Sequence, residues 1–192
     1  MRDIWLTSDT HFGHANILKF RDSSGFKFRG DLFESVQHMD ETMIERWNSV
    51  VKPQDIVYHL GDVIMCDAPV QWMENNWKRL NGHKRLIVGN HDNIKLLAGY
   101  GWFEKILMWR MFPEHGVILS HVPLHNQSMI NYRQLNEDGS YGKFINIHGH
   151  IHQNLSPGPD YRCVCVEHTN YTPVSIEQAK NLNNFVVDID NV

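Results

Sequence analysis

Five short segments of the chain contain side chains of the types that bind divalent metals. These segments are Asp9-Thr10-His11, Gly61-Asp62, Gly89-Asn90-His91-Asp92, Ser120-His121 and Gly149-His150-Ile151-His152. Carboxylate, carbonyl and imidazole groups suit first-row metals. Enzymes that hydrolyse phosphate esters use two such ions, about 3.5–4 Å apart, to hold the substrate and activate water. One segment alone is a common coincidence, whereas five at predicted strand ends indicate one shared metal site.

An apolar run precedes each segment and predicts a buried strand. The predicted strands cover residues 4–8, 56–60, 86–88, 117–120 and 144–147. Helices are predicted at residues 13–20, 36–50, 69–80 and 94–100, where apolar residues support a helical pattern. These helices alternate with the first three strands. This alternation predicts an α/β fold with largely parallel strands and helices on the outside. Because α/β sheets bind ligands at the carboxyl ends of their strands, we expect the five segments to meet there.

The second half of the chain is richer in strands. Further strands are predicted at residues 105–112 and 162–166, and a last helix is predicted to start at Ser175, a favourable N-cap residue. This distribution predicts two packed sheets rather than one. Residues 21–31 and 123–142 lack periodicity and are predicted to be surface loops.

The composition indicates one domain and a small substrate. The chain has 192 residues, of which 42% are hydrophobic, so we expect a single domain over residues 1–192. The formal net charge is −4, and the basic residues are scattered. Proteins that hold long nucleic acids carry a basic face, and single-strand binders add exposed aromatic side chains. We see no such pattern, so a small phosphoester is favoured as the partner, and nucleic acid is disfavoured without being excluded. The oligomeric state is left open.

The sequence also predicts a cytoplasmic location. It contains no apolar run of about 18 residues that could span a membrane. We see no basic-then-apolar leader and therefore expect no signal peptide. The three cysteines cannot all pair, and Cys163-Val164-Cys165 alternates as on a strand. We interpret them as reduced thiols of a cytoplasmic protein.

The segment Ser8-Asp9-Thr10-His11-Phe12-Gly13-His14, followed by the other four, resembles the calcineurin-like metallophosphoesterase superfamily. The similarity is closest to the small single-domain phosphoesterases of bacterial and phage type. It extends from Asp9 to about Val174, and no ligand motif is missing. The resemblance implies a four-layer αββα sandwich and two divalent metal ions.

The resemblance also implies the metal ligands. The first metal would be bound by Asp9, His11 and His152, and the second by Asn90, His121 and His150. Asp62 would bridge both metals. The absence of thiolate from this mixed nitrogen and oxygen set favours borderline metals such as Mn²⁺, Fe²⁺ or Zn²⁺. The choice of Mn²⁺ among them rests on the resemblance.

His91 has a different implied role, that of a general acid that protonates the leaving-group oxygen. The implied reaction is in-line attack on phosphorus by a water that the metals activate, and Asp92 would orient a neighbouring group. His14 could contact substrate, or it could cap a helix or lie on the surface. Arg29, with Arg21 and Lys27, could bind a second phosphate or a base, although a solvated loop is the default.

Two other functions remain open. A nuclease is possible within the same superfamily, although the related nucleases add domains or cap segments that this short chain lacks. A scaffold without catalytic activity is disfavoured, because such proteins tend to lose ligands or the acid histidine. Here Asp9, Asp62, Asn90 and His91 are all present. We predict a phosphoric ester hydrolase acting on a small monoester or diester such as a nucleotide.

Overall fold

Two β-sheets form the centre of the molecule. The computed structural model describes residues 2–22 and 24–186. Position 23 of the predicted loop, and residues 1 and 187–192 of the predicted single domain, lie outside the described residues. The strands and α-helices are β1 (Ile4–Thr7), α1 (Val36–Val50), β2 (Ile56–His59), α2 (Pro69–Asn76), β3 (His83–Ile87), α3 (Ile94–Gly99), β4 (Lys105–Leu107), β5 (Trp109–Phe112), β6 (Val117–Ser120), β7 (Ile130–Leu135), β8 (Tyr141–Lys143), β9 (Ile145–His148), β10 (Tyr161–Cys163), β11 (Val174–Ser175) and α4 (Ile176–Lys180).

The first sheet has the strand order β11-β1-β2-β3-β4. Strands β1 to β4 are parallel, and β11 pairs with β1 in the antiparallel direction. Helices α1, α2 and α3 connect the parallel strands, as parallel pairing requires. The carboxyl ends of β1, β2 and β3 therefore lie at one edge, where the first three site segments follow them.

The second sheet has the order β10-β9-β6-β5, with β6, β9 and β10 parallel and β5 antiparallel at the edge. Its strands β6 and β9 lead directly into the last two site segments. The prediction of one strand over residues 105–112 is wrong, because β4 belongs to the first sheet and β5 to the second. The chain changes sheets at Met108, a change of direction that a continuous apolar pattern does not encode.

The two sheets pack face to face around a shared apolar core. This core contains Leu6, Tyr58, Leu60 and Ile87 from the first sheet and its strand ends, and Val117, Leu119 and Ile147 from the second. The opposite face of the first sheet packs against α1, α2 and α3 through residues that include Met43, Trp47, Met73 and Leu97. The predicted α/β fold of calcineurin-like type is confirmed.

The outer face of the second sheet is covered by residues that were predicted to be loop. Met129, in a 3₁₀ turn at Asn126–Met129, packs against Ile118 and Tyr161. Strands β7 and β8 then form an antiparallel hairpin, so the prediction of loop throughout residues 123–142 is wrong. Most of β7 is exposed, and an exposed strand lacks the apolar alternation by which a half-buried strand is recognised.

Shorter elements follow the predictions with local differences. Ser175 is the N-cap of α4 and forms a capping box with Gln178. The predicted helix at residues 13–20 is a 3₁₀ helix, Ala15–Lys19, and the strand predicted to reach Val166 ends at Cys163. Among the described residues of the 21–31 segment there is no helix or strand. No helix in the described part of the chain combines the length and the apolar character that crossing a membrane requires.

Asp55 ties the amino ends of the first sheet together, and its substitution tests this role. Its buried carboxylate accepts hydrogen bonds from Trp5 Nε1 at 3.0 Å, from the Lys52 amide at 2.9 Å and from the Asp3 amide at 3.2 Å. Burial raises the pKa of Asp55, but these donors outweigh it, and the pKa lies below its usual value.

At pH 7, Asp55→Asn should lower the free energy of unfolding by about 1.5–3 kcal/mol, because the amide cannot accept all three bonds. A carboxyl whose pKa is lowered by folding stabilises above its unfolded pKa of about 3.9 and loses this contribution as the pH falls through the folded value. Urea unfolding should therefore show the difference shrinking below about pH 4. The exposed carboxylate of Asp67 is the control, and an equal effect of Asp67→Asn would contradict this role.

Candidate functional site

The seven predicted metal ligands converge where the two sheets meet. Each follows the carboxyl end of a strand: β1 leads to Asp9 and His11, β2 to Asp62 and β3 to Asn90. The second sheet contributes the three remaining ligands, His121, His150 and His152. Backbone hydrogen bonds join the segments, from the Asp9 amide to Gly61 O at 3.0 Å and from the Gly149 amide to His121 O at 2.8 Å.

One group of donor atoms surrounds Asp9 Oδ1. His11 Nε2 lies 3.9 Å and His152 Nε2 lies 3.8 Å from this oxygen. The two imidazole rings are stacked, with centroids 5.2 Å apart. Three donor atoms that lie this close together, from residues of which two are buried, could hold one metal ion.

A second group surrounds Asn90 Oδ1. His121 Nε2 and His150 Nδ1 each lie 2.9 Å from this oxygen. Asp62 links the two groups, because its Oδ2 lies 3.7 Å from His11 Nε2 and 3.6 Å from His121 Nε2. The Asp62 carboxylate thus occupies the position that a ligand shared by two metals requires.

The polar atoms of the site fit a pair of cations. Asp9 Oδ1 and both ring nitrogens of His11 are buried and have no hydrogen-bond partner among the described residues. A buried polar atom without a partner destabilises the fold unless a water or an ion satisfies it. His121 Nδ1 donates to Leu60 O at 2.7 Å, which leaves Nε2 with a lone pair that faces Asn90 Oδ1. Two acceptors that face one another are stabilised by a shared cation.

The backbone is strained at the same places. Five candidate ligands have positive φ angles, namely Asp9 at 57°, His11 at 46°, Asp62 at 56°, His150 at 71° and His152 at 49°. Residues other than glycine seldom adopt this left-handed conformation, and such strain is concentrated at functional sites. The surrounding sheets hold these residues in a conformation that local preferences oppose.

Two glycines allow the ligand segments to approach one another. A side chain at Gly149 would collide with Ser8 Oγ and with the Asp9 carboxylate. A side chain at Gly89 would collide with the Asp62 carboxylate. Gly89, which precedes Asn90, and Gly149, which precedes His150, are therefore required by close packing.

Arg29 and Glu167 form a buried ion pair behind the first group of ligands. Arg29 is 1% exposed, and its Nε and Nη2 donate to Glu167 Oε1 at 2.8 and 2.6 Å. Arg29 also donates to Asp9 O at 2.6 Å and to Thr10 O at 2.8 Å. The expectation of a solvated loop is therefore wrong for Arg29, because its guanidinium is buried and engaged by these acceptors.

Glu167 in turn orients His152. Its Oε1 accepts a hydrogen bond from His152 Nδ1 at 3.1 Å, which leaves His152 Nε2 free to face Asp9. Ligating histidines commonly donate their second ring nitrogen to a carboxylate in this way. Burial raises the pKa of Glu167, but the Arg29 guanidinium and His152 outweigh it and hold the pKa at about 2. Glu167 therefore stays ionised at neutral pH.

The pKa values of the site histidines follow from the same contacts. Burial, and then the charge of Arg29, lower the pKa of His11 to about 2, so this ring is neutral, as a ligand must be. Burial also lowers the pKa of His152, but Glu167 outweighs it and the pKa lies above its usual value. Burial raises the pKa of Asp62, against the opposing effects of His121 and of the His91 amide.

His91 and Asp92 differ in what they contact. The His91 side chain is exposed and lies beside His11, with ring centroids 5.7 Å apart, while its amide donates to Asp62 Oδ1 at 2.9 Å. The Asp92 carboxylate accepts from the amides of Asp62 at 3.1 Å, Val63 at 3.0 Å and Gly89 at 2.8 Å. Asp92 thus joins two ligand segments through their backbones, whereas the His91 ring faces the open side of the site.

His14 lies on the same open side. Its ring centroid is 5.8 Å from that of His11, and it lines the same cleft as His91. Although His14 precedes the 3₁₀ helix Ala15–Lys19, its side chain makes no capping hydrogen bond. The expected capping role is therefore wrong, and contact with a substrate stays a prediction beside a surface role.

Known proteins share this arrangement of sequence and fold. The family model described as calcineurin-like phosphoesterase matches residues 2–185. The chain belongs to this family. It is 34% identical over 184 residues to an uncharacterized protein of Methanocaldococcus jannaschii, covering 92% of this chain and 89% of that protein. It is 31% identical over 178 residues to the gene 66 protein of Mycobacterium phage L5, covering 81% of this chain and 80% of that protein.

A solved structure has the same fold. The crystal structure of a protein of unknown function from Aquifex aeolicus matches with a TM-score of 0.64 and 25% sequence identity, covering 93% of this chain and 97% of that one. The predicted resemblance to calcineurin-like phosphoesterases of small bacterial and phage type is confirmed. Family membership makes this chain a metal-dependent phosphoesterase hydrolase.

Sequence reasoning missed three groups that support the ligands of this phosphoesterase. Glu167 orients His152, and both Ser8 Oγ, at 2.6 Å, and Cys165 Sγ, at 3.1 Å, donate to Asp9 Oδ2. Ser8 adjoins a recognised motif and could have been suspected. Glu167 and Cys165 lie outside every motif, and no local signal distinguishes them.

The role of Glu167 can be tested through metal affinity. Glu167→Gln removes the negative charge that holds His152 Nδ1, so the affinity for the first metal should fall about 10–100-fold. Titration of metal-free protein with Mn²⁺ by calorimetry measures this affinity, and circular dichroism checks the fold.

A matched control is Glu177→Gln, because Glu177 Oε1 accepts from His115 Nδ1 at the same 3.1 Å but lies on the surface. Glu177→Gln should bind Mn²⁺ as the unmodified protein does. Unchanged affinity of a folded Glu167→Gln protein would show that Glu167 does not position His152.

Proposed function

We propose that this phosphoesterase hydrolyses a small phosphomonoester or phosphodiester, such as a nucleotide, with two bound divalent metals and His91 as the general acid. The observation that carries the proposal is the position of Asp62. Its Oδ2 lies within 3.7 Å of one proposed ligand from each group, so one carboxylate could serve two metal ions. A binuclear site of this kind is typical of phosphate-ester hydrolysis.

The proposed ligands are those identified in the sequence. Asp9, His11 and His152 hold one metal, Asn90, His121 and His150 hold the other, and Asp62 holds both. When bound, the two divalent ions, for which we propose Mn²⁺ with Fe²⁺ or Zn²⁺ as alternatives, neutralise the phosphoryl oxygens and activate the attacking water.

The exposed ring of His91 supplies the proton. A cleft of about 480 Å³ opens over the first group of ligands and is lined by His11, His14, Met65, His91 and His152. A substrate whose leaving group occupies this cleft places its ester oxygen beside His91, which donates a proton as the bond to phosphorus breaks. His14 lies in the same cleft and is proposed to bind a substrate oxygen.

We also propose a cytoplasmic location for the protein. None of the three cysteines, all of which lie in the described residues, forms a disulfide. Reduced thiols are typical of cytoplasmic proteins.

A nuclease is the second candidate, and one observation favours it. The exposed aromatic residues Trp109 and Tyr132 are each followed in the sequence by an exposed arginine, a pattern that the sequence analysis did not expect. Aromatic and basic side chains together bind single-stranded nucleic acid. The net charge of −4 still favours a small substrate. Efficient cleavage of an oligonucleotide, with little turnover of a mononucleotide or a model diester, would favour the nuclease function over hydrolysis of a small phosphoester.

Metal removal is the first test of the proposed function. Protein treated with a chelator should lose the hydrolysis of p-nitrophenyl phosphate esters and should regain it best with Mn²⁺. Metal analysis of the reactivated protein should give two ions per chain. Full activity in protein shown to be free of metal would exclude the proposed chemistry.

Substitutions separate the bridging ligand from the acid. Asp62→Ala removes the shared carboxylate, so metal content and turnover should both fall. His91→Ala should retain both metals while kcat falls about 10²–10⁴-fold, most strongly for esters with poor leaving groups, which need protonation. The exposed His38 provides a control, His38→Ala, with unchanged kcat. Loss of a metal from His91→Ala would make His91 a ligand instead of the acid.

A further inference from the structure

A second cleft adjoins the candidate metal ligands, and His91 is not among its lining residues. We name it the Phe28 cleft; its volume is about 460 Å³ and it is lined by Phe20, Arg21, Phe28, Gln153, Asn154 and Leu155, together with the candidate ligands His150 and His152. The cleft over His91, here the His91 cleft, shares Ile17, Phe20 and His152 with it. The two clefts therefore meet at His152, and each has lining residues that the other lacks.

The stereochemistry of phosphoryl transfer gives each cleft a different occupant. In an in-line reaction the attacking and leaving oxygens are opposite one another at phosphorus, and the remaining oxygens project sideways. The proposed acid His91 places the leaving group in the His91 cleft. A monoester has no other substituent, whereas the retained group of a diester projects sideways and needs a cleft of its own.

The walls of the Phe28 cleft suit an aromatic group. Phe20 and Phe28 contribute phenyl rings, and Leu155, which is 57% exposed, contributes an aliphatic surface. Aromatic side chains stack on nucleobases in a way that tolerates different bases. The volume of the cleft lies in the range of small-ligand pockets, about 300–1,000 Å³.

Polar groups are available in the same cleft. Among the described residues the Gln153 side chain makes no hydrogen bond, and Arg21 uses only Nη1, which donates to Gly25 O at 2.6 Å. Apolar walls with a few unused polar groups are typical of pockets that orient a ligand. The edge of a nucleobase or the hydroxyls of a ribose could use these donors and acceptors, whereas an alkyl chain could not.

We infer that the substrate is a phosphodiester whose retained half is a nucleoside-like group bound in the Phe28 cleft, while its leaving half lies in the His91 cleft. This inference rests on the proposed function and names its substrate class. Phe20 would be available to both halves, because it lines both clefts and is 59% exposed.

The test varies the retained group and keeps the leaving group constant. The substrates are the methyl, n-hexyl and thymidin-5′-yl diesters of p-nitrophenyl phosphate, each of which releases p-nitrophenolate. With Mn²⁺ present, kcat/KM of the thymidinyl ester should exceed that of the methyl ester about tenfold, as expected for one stacked base. The n-hexyl ester should lie between them, because it gains apolar contact but no stacking.

Two variants place this preference in the Phe28 cleft. Phe28→Ala should bring the thymidinyl-to-methyl ratio close to one. Leu155→Trp fills the cleft from an exposed position that tolerates substitution, and should lower the same ratio even if Phe28→Ala unfolds. Tyr100→Ala is the matched control, because Tyr100 is an exposed aromatic residue outside both clefts. It should leave the ratio unchanged.

The outcomes distinguish this inference from the proposed function. If the metal-loaded protein hydrolyses neither these diesters nor the monoester p-nitrophenyl phosphate, the proposed function fails. If it hydrolyses only the monoester, the proposed function stands and the nucleoside assignment is wrong. If the esters are hydrolysed but the ratio is close to one, or the n-hexyl ester is preferred, the proposed function stands and the nucleoside assignment is wrong. A ratio that falls with Tyr100→Ala but not with Leu155→Trp would place the retained group outside the Phe28 cleft.

Discussion

The burial of Asp9 and Asp62 beside one another is the constraint on which the rest of the site depends. The two carboxylates are 0% and 2% exposed, and the negative charge of Asp9 contributes to the raised pKa of Asp62. Two buried carboxylates repel one another and lose their hydration, so they are stable as charged groups only with positive partners. The imidazoles around them suit metal binding, and Asp9 Oδ1 has no hydrogen-bond partner among the described residues. Bound cations would therefore supply the positive charge that the two carboxylates need.

The scaffold holds this arrangement by long-range contacts instead of local preference. Arg29 joins the backbone that follows β1 to Glu167, and Glu167 holds His152. Asp92 joins the segments after β2 and β3 through their amides. These contacts keep the ligands in left-handed conformations that would otherwise relax, which is how a rigid fold stores strain at a functional site.

Particular residues show how far the sequence could predict the site. The seven candidate ligands were recognised because each stands in a short motif after an apolar strand, and the structure brings all seven together. Arg29 was expected by default in a solvated loop, since an arginine in a loop with glycines has no local sign of burial. The hairpin β7–β8 was missed because most of its first strand is exposed and shows no apolar alternation.

The sequence by itself determined the types of ligand, their order along the chain and the α/β alternation that gathers them, because residue chemistry and apolar periodicity are local properties. Only the tertiary structure decided which side chains support the ligands and where a substrate has room. Glu167 is separated from Arg29 by 138 residues, and the Phe28 cleft joins residues near position 20 to residues near position 155. Such contacts depend on how the two sheets pack, and no local pattern of residues encodes that packing.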